Sequence, residues 1–182
     1  MLYQAYQFHD DLVAPVRKAA KAARESVWPM PDVWRRQFGA GLEMISRLEI
    51  THTRPEFGID MVRSGNRDVE VREEVALSMP FGKLVHFVKN SDVPQPRVLV
   101  VAPLSGHFAT LLTKTVATLL RDHDVYITDW INARDVPLSA GRFGVEDYIS
   151  YVIRFLEEVG PGAHVLAVCQ PCVQALAAVA VM

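Results

Sequence analysis

The stretch RVLVVAPLSGHFATLLTKTVATLLRDHDVYITDW, from Arg97 to Trp130, decides the fold class. It begins with RVLVV, a short and continuously apolar run rich in β-branched side chains, which is typical of a strand covered on both faces. A helical pattern follows over FATLLTKTVATLLRDH, and DVYITDW has the composition of a second strand. Two such strands joined by a helix indicate a parallel βαβ unit with a right-handed crossover.

The alternation of strand and helix continues to the end of the sequence. A helical pattern over VEDYISYVIRFLEEVG precedes the apolar run HVLAV, and PCVQALAAVAVM predicts a last helix. Upstream, VEVREEVALSM and KLVHFVKN are separated by PFG and predict a pair of antiparallel strands. We therefore expect an α/β fold with a mixed, mostly parallel sheet. The segments near 71–78 and 83–88 should pair antiparallel, and those near 98–102, 124–128 and 164–168 should run parallel.

The front of the chain has a different texture. Residues 1–50 carry apolar side chains at helical spacing, with a Pro-X-Pro break and Asp32 as a candidate N-cap of a second helix. The segment THTRPEFGID, 51–60, resembles a linker in its Pro, Gly and Thr content. The sequence thus predicts an N-terminal helical region, 1–50, followed by an α/β domain over 51–182.

Composition narrows the class of protein. The chain has 182 residues, half of them hydrophobic, which is enough for a sizeable core, and its formal net charge of −2 comes with scattered basic residues that do not favour nucleic acid as a partner. The N-terminus lacks the apolar core of a signal peptide, and the apolar run 173–182 is too short to cross a bilayer. Two cysteines three positions apart fit a reducing compartment. We expect a cytoplasmic protein without a membrane span.

Cys169 and Cys172 are the candidate chemical groups, and several interpretations compete. A structural zinc site needs four ligands, of which this pair supplies two, and the six histidines show no ligand spacing. As Cys169-Gln170-Pro171-Cys172 at a strand-to-helix junction, the pair resembles the thioredoxin motif, since a helix N-terminus stabilises a thiolate. Both could also be inert core thiols.

A nucleophile elbow is the remaining interpretation of this segment. In such an elbow a strand ends, the nucleophile sits on a strained bend, and a helix begins at once. Ala167 is small, as close packing two positions before the nucleophile requires, and Pro171 is acceptable in the first turn of a helix. Gln170 keeps its backbone N–H, which would be one oxyanion-hole donor. Cys169 is then the nucleophile.

The loop after RVLVV is the expected source of the second oxyanion donor. In elbow-containing folds this donor follows the third strand, and here the loop reads APLSGHFATLL. Leu104 aligns best with the donor position, with Ser105 beside it. We expect Cys169 to have backbone angles uncommon for a non-glycine residue. Cys172 should be buried one turn into the helix, and that burial together with the strained elbow should oppose a disulfide.

Several segments together resemble one family. RVLVVAPLSGHFATLL, DVYITDW and HVLAVCQPCVQALAAVAVM, behind the helical start MLYQAYQ, are similar to the intracellular polyhydroxybutyrate depolymerases, α/β-hydrolase relatives of the polyhydroxyalkanoate synthases. The resemblance covers essentially the whole chain, and VCQPCV is its most specific part. The run Asp129-Trp130-Ile131-Asn132 is similar to a synthase motif after the fourth strand.

This resemblance implies a fold and a reaction. The α/β-hydrolase sheet has the order 1-2-4-3-5-6-7-8, so the chain would supply the first five strands, with Cys169 following the fifth. Cys169 would attack an ester carbonyl of poly(3-hydroxybutyrate), and water would hydrolyse the resulting thioester. No cofactor and no metal are implied. The polymer, and with it the surface of a storage granule, is the expected partner.

In the family's chain order, the acid and the histidine of the triad follow the nucleophile. We therefore expect the chain to be the N-terminal portion of such an enzyme, ending just after the elbow and inactive by itself, with an exposed sheet edge that favours self-association. Two alternatives remain: a non-catalytic, granule-binding remnant of the same fold, or a thioredoxin-like dithiol oxidoreductase.

Overall fold

The computed structural model describes residues 2–25, 32–46, 54–104, 108–133 and 135–182. The chain divides into two compact units, Met1–Thr53 and Arg54–Met182. The first unit contains two helices that pack against each other, α1 (Leu2–Glu25) and α2 (Asp32–Ser46). Its described part is therefore helical, as the apolar spacing predicts.

The second unit is built on a six-stranded mixed sheet. Its strands are β1 (Met61–Ser64), β2 (Arg67–Met79), β3 (Gly82–Lys89), β4 (Arg97–Val101), β5 (Asp124–Trp130) and β6 (His164–Ala167). Across the sheet they follow the order β1-β2-β3-β5-β4-β6. Because β5 lies between β3 and β4, the chain crosses over the sheet after β4 and returns beside it.

The strand directions agree with the sequence prediction. β2 and β3 pair antiparallel, whereas β4 pairs parallel with both β5 and β6. β3 also pairs antiparallel with β5, which joins the hairpin to the parallel part. The strand β1 was not predicted. It pairs antiparallel with β2 across a turn at Gly65, where φ is 59°, and Val62 is its only buried residue, so its sequence carries little signal.

Three helices cover the two faces of the sheet. A 3-10 turn (Ala109–Leu112) leads into α3 (Thr113–Leu119), and the faces also carry α4 (Val145–Val159) and α5 (Cys172–Val181). One face packs on the α3 side, with Phe57, Val100 and Ile127 in its core, and the other packs on α4 and α5, with Leu99, Val152 and Phe155. The sequence predicts a helix over 108–123, but the observed α-helix covers only Thr113–Leu119, after the 3-10 turn.

Position in the sheet decides how deeply each strand is buried. Leu99, Val100 and Val101 in β4 have neighbours on both sides and helices on both faces, and they are fully buried. β6 is the last strand in the sheet order, and its Val165 and Leu166 remain partly exposed. The observed class is a mixed α/β fold.

Candidate active site

The carboxyl ends of the three parallel strands meet at one edge of the sheet, which is where open α/β sheets bind ligands. Val101 pairs with Ala167, and Val100 pairs with Ile127, so the segments that follow β4 and β6 emerge at the same level as the last residues of β5. Cys169, Leu104 and Asp129 all lie at this edge. The fold therefore brings together sequence positions that are far apart.

Cys169 occupies a strained position between β6 and α5. Its φ of 66° is the only positive value among the non-glycine residues that the structure describes, and a left-handed backbone costs a residue with a Cβ roughly 1–2 kcal/mol. On one side, the Val168 N–H donates to Val101 O at 3.2 Å, and on the other the Cys172 N–H donates to Cys169 O at 3.3 Å. The expected uncommon backbone is confirmed, and the thiol is exposed.

The predicted oxyanion donors flank this edge. Gln170 follows Cys169 in an exposed turn, and Leu104 ends the described part of the loop after β4, with its side chain partly exposed. Within the described ranges, neither backbone N–H donates to a protein acceptor. Ser105, the other predicted position, lies outside the described residues.

The start of the β4 loop is held by side chains that the sequence analysis missed. The buried Ala102 donates its N–H to the hydroxyl of Thr128 at 2.9 Å. Its carbonyl accepts from Trp130 Nε1 at 2.9 Å and from the Tyr148 hydroxyl at 3.3 Å. Burial raises the pKa of Tyr148, which keeps the phenol protonated as a donor. Three side chains thus fix the backbone two residues before Leu104.

The prediction that Cys172 is buried is wrong. Both thiols are exposed, and Cys172 Sγ lies 3.4 Å from Ala167 O, to which it can donate a weak hydrogen bond. The reason is the orientation of α5, which buries the small side chains of Ala175 and Ala178 against the α4 side of the core. The first residue of the helix is therefore turned away from that contact.

At the same sheet edge, the buried carboxylate of Asp129 belongs to a cluster of three charged side chains, of which Arg54 and Glu73 are partly exposed. Arg54 Nε is 2.5 Å from Asp129 Oδ2, and Arg54 Nη2 is 2.7 Å from Glu73 Oε1. The Asp129 side chain is only 8% exposed, and among the described residues its Oδ1 has no hydrogen-bond partner. Asp129 is the last residue but one of β5, and β5 lies two strand positions from β6, which corresponds to roughly 10 Å across the sheet.

The two partners shift each other's pKa. Burial raises the pKa of Asp129, and the charge and hydrogen bond of Arg54 oppose that rise without cancelling it. For Arg54, burial favours the neutral form, but the hydrogen bond to Glu73 and the charge of Asp129 raise its pKa above the ordinary value. Arg54 begins the second unit, although the segment 51–60 resembles a linker in its composition, and nothing local in that segment reveals so distant a partner.

The histidines with described side chains lie elsewhere. His86 Nε2 is 2.7 Å from Oδ1 of Asp124, the first residue of β5, and the imidazole stacks on Tyr126 at a centroid distance of 4.0 Å. His123 precedes β5 and His164 begins β6. β5 has seven residues, about 20 Å of extended chain, so these groups face the amino-terminal end of the parallel strands, away from Cys169.

The described part of the chain offers neither a metal site nor a membrane span. No three Cys, His, Asp or Glu side chains there lie close enough together to hold a metal ion. None of its helices combines the length and apolarity needed to cross a membrane. Comparison of the chain with protein-family models, with curated proteins and with solved structures found no match.

Proposed function

We propose that this chain carries the nucleophile of an ester hydrolase of the α/β-hydrolase class, with Cys169 in that role. The observation that carries the proposal is the strained backbone of Cys169, with φ at 66°, between the end of a parallel strand and the start of a helix. Such strain persists where the surrounding structure holds it, and it is concentrated at functional sites. In a nucleophile elbow, this conformation exposes the reacting atom at the top of the sheet.

The strand order supports the same class. Without the edge strand β1, the sheet runs β2-β3-β5-β4-β6, which is the order 1-2-4-3-5 with which an α/β-hydrolase sheet begins. In that numbering Cys169 follows the fifth strand and Leu104 follows the third. These are the two places from which the class draws its nucleophile and one of its oxyanion donors.

The proposed chemistry uses the groups at this edge. The Cys169 thiolate adds to the ester carbonyl, and the N–H groups of Gln170 and Leu104 stabilise the oxyanion. Collapse of the tetrahedral intermediate breaks the acyl C–O bond, releases the alcohol and leaves a thioester on Cys169. Water then hydrolyses the thioester. The resemblance to the intracellular depolymerases makes poly(3-hydroxybutyrate) the proposed substrate.

A granule surface fits the surroundings of the proposed nucleophile. α5, which begins three residues after Cys169, exposes Val173, Leu176 and Val179. An aliphatic polyester granule offers an apolar surface that such side chains can contact. The proposal therefore includes association with the storage granule.

Formation of the acyl-enzyme tests the proposal without requiring a complete catalytic cycle. The 182-residue protein is incubated with the p-nitrophenyl ester of 3-hydroxybutyrate, and the acylated peptide is identified by mass spectrometry after acid quenching. We expect a thioester on Cys169 that neutral hydroxylamine removes. The adduct should be absent in Cys169→Ala and retained in Cys172→Ala.

Cys172 provides an internal control, because it is a second exposed thiol on the same turn. Oxyanion stabilisation contributes on the order of 10²-fold or more to such a step, so Cys169 should acylate that much faster than Cys172. Equal labelling of both thiols would show ordinary thiol reactivity and refute the proposal. A folded protein that binds polymer granules without acylation would favour the non-catalytic remnant instead.

A further inference from the structure

Cys169 and Cys172 share one tight turn. The Cys172 N–H donates a hydrogen bond to Cys169 O at 3.3 Å, which closes a four-residue turn over 169–172. A turn of this kind holds its first and last Cα atoms within about 7 Å, and disulfides span Cα distances of about 4.4–6.8 Å. The backbone therefore already brings the two cysteines to the separation that a disulfide requires.

The Cys172 side chain is turned towards the end of β6. Its Sγ lies 3.4 Å from Ala167 O, the carbonyl two residues before Cys169. This is a weak interaction that a rotation about one side-chain bond can break. Both thiols are exposed, so neither has to leave a packed core to react. Of the two features expected to oppose a disulfide, the burial of Cys172 is therefore absent.

We propose that Cys172 is a resolving thiol that captures Cys169 after oxidation by a hydroperoxide, which makes this turn a reversible redox-modification site. In the first step the Cys169 thiolate attacks the peroxide, the O–O bond breaks, and Cys169 sulfenic acid and an alkoxide or hydroxide form. In the second step the Cys172 sulfur attacks the sulfenic sulfur, the S–O bond breaks, and a disulfide and water form. An external dithiol reduces the disulfide and is itself oxidised.

The position of the two thiols argues for this order of events. Cys169 sits on an exposed, strained turn directly before α5, whereas the Cys172 sulfur contacts the Ala167 carbonyl oxygen. Exposed thiolates with a neighbouring resolving cysteine are the ones that oxidise reversibly. The disulfide would protect Cys169 from irreversible oxidation and would block its attack on an ester. Only this last consequence rests on the proposed function.

Mass spectrometry of the 182-residue protein tests the bond directly. The reduced protein is treated with an equimolar amount of hydrogen peroxide at low protein concentration, and the remaining thiols are then alkylated. We expect an intramolecular Cys169–Cys172 disulfide, seen as the loss of two hydrogen atoms and of both alkylation sites, which dithiothreitol fully reverses. Cys172→Ala should lose the disulfide completely and accumulate a dimedone-reactive sulfenic acid on Cys169.

Three outcomes would overturn the proposal. The first is that the unsubstituted protein accumulates as much sulfenic acid on Cys169 as Cys172→Ala does. The second is that disulfides form only between chains. The third is that the disulfide of the unsubstituted protein is not reversed by dithiothreitol. Cys169→Ala should leave Cys172 largely reduced, and equal oxidation of Cys172 in that variant would also contradict the proposed order. Because acylation of Cys169 is measured on the reduced protein, failure of the hydrolase proposal and failure of this one are distinguishable.

Discussion

Replacing Arg54 with alanine should destabilise the second unit much more than the loss of an ordinary surface ion pair. Arg54 contacts two carboxylates, and one of them, Asp129, belongs to a side chain that is only 8% exposed. Arg54→Ala leaves the Asp129 charge buried without its cation, and removal of one partner from a buried pair costs about 3–5 kcal/mol. Because the Arg54 side chain is itself 30% exposed, water can reach the vacated position, and we expect about 3 kcal/mol.

Hydrogen exchange of the β5 amides provides the measurement, since β5 lies inside the sheet between β3 and β4 and reports on unfolding of the second unit as a whole. A loss of about 3 kcal/mol should also lower the melting temperature of a unit of this size by roughly 10 °C. The matched control is Arg154→Ala. Its pair, Arg154 Nη1 to Glu157 Oε2 at 2.9 Å, has side chains that are 63% and 50% exposed, so its loss should cost at most about 0.5 kcal/mol.

The pH dependence of the stability difference between the original protein and Arg54→Ala shows whether the buried Asp129 charge causes that difference. Burial raises the pKa of Asp129, so the Asp129 carboxylate binds a proton more tightly in the native state than in the unfolded chain. The resulting stabilisation is complete below the ordinary aspartate pKa of about 3.9 and is lost as the pH rises through the native-state pKa. Without the Arg54 charge, the native-state pKa rises further. The stability gap between the original protein and Arg54→Ala should therefore be small in acid and widen towards neutral pH.

The double variant Arg54→Ala/Asp129→Asn separates charge from packing. It removes the stranded carboxylate together with its cation, so it should be more stable at neutral pH than Arg54→Ala alone. Two results would refute the argument that a buried carboxylate depends on Arg54. One is a loss of stability in Arg54→Ala no larger than that in Arg154→Ala. The other is a stability difference between the original protein and Arg54→Ala that does not change with pH.

Two further predictions concern packing and association. Gly82→Ala would place a Cβ 2.8 Å from Trp130 Cε3, so the free energy of unfolding measured with a denaturant should fall by about 1–3 kcal/mol. A fall no larger than that of a surface substitution would contradict this prediction. Leu176, 72% exposed on α5, belongs to an apolar surface beside the free edge of β6, so Leu176→Lys should shift a self-associating protein towards monomer in sedimentation velocity. Leu138→Lys, at an isolated leucine that is 98% exposed, is the control, and equal effects of the two substitutions would argue against this surface.

The central parallel strand β4 could be predicted because it is buried on both faces. Such burial produces continuous apolar runs such as RVLVV, which few other structures need. The strained backbone at Cys169 was also predicted, from the small Ala167 two positions before it and from Pro171, which the first turn of a helix tolerates. The strand β1 escaped prediction because a single buried residue, Val62, produces no pattern.

The orientation of α5 could not be predicted from its own residues. The helix is apolar on nearly every side, so periodicity does not indicate which face is buried. The structure buries Ala175 and Ala178, whose small side chains allow close approach to the α4 side of the core, and leaves the larger Val173 and Leu176 exposed. A ranking by hydrophobicity would choose the opposite face, and this is why Cys172 was placed wrongly.

The sequence by itself determined five of the six described strands, their directions and the strained position of Cys169, because these follow from local burial patterns and backbone sterics. Only the tertiary structure decided the partners that those elements meet. The Arg54 guanidinium reaches Asp129 and Glu73 through the fold, and the Ala102 carbonyl meets Trp130 and Tyr148 in the same way. Such contacts join residues distant in sequence. The free energy that favours them arises only after the sheet has formed and has excluded water from the Asp129 carboxylate and the Ala102 carbonyl.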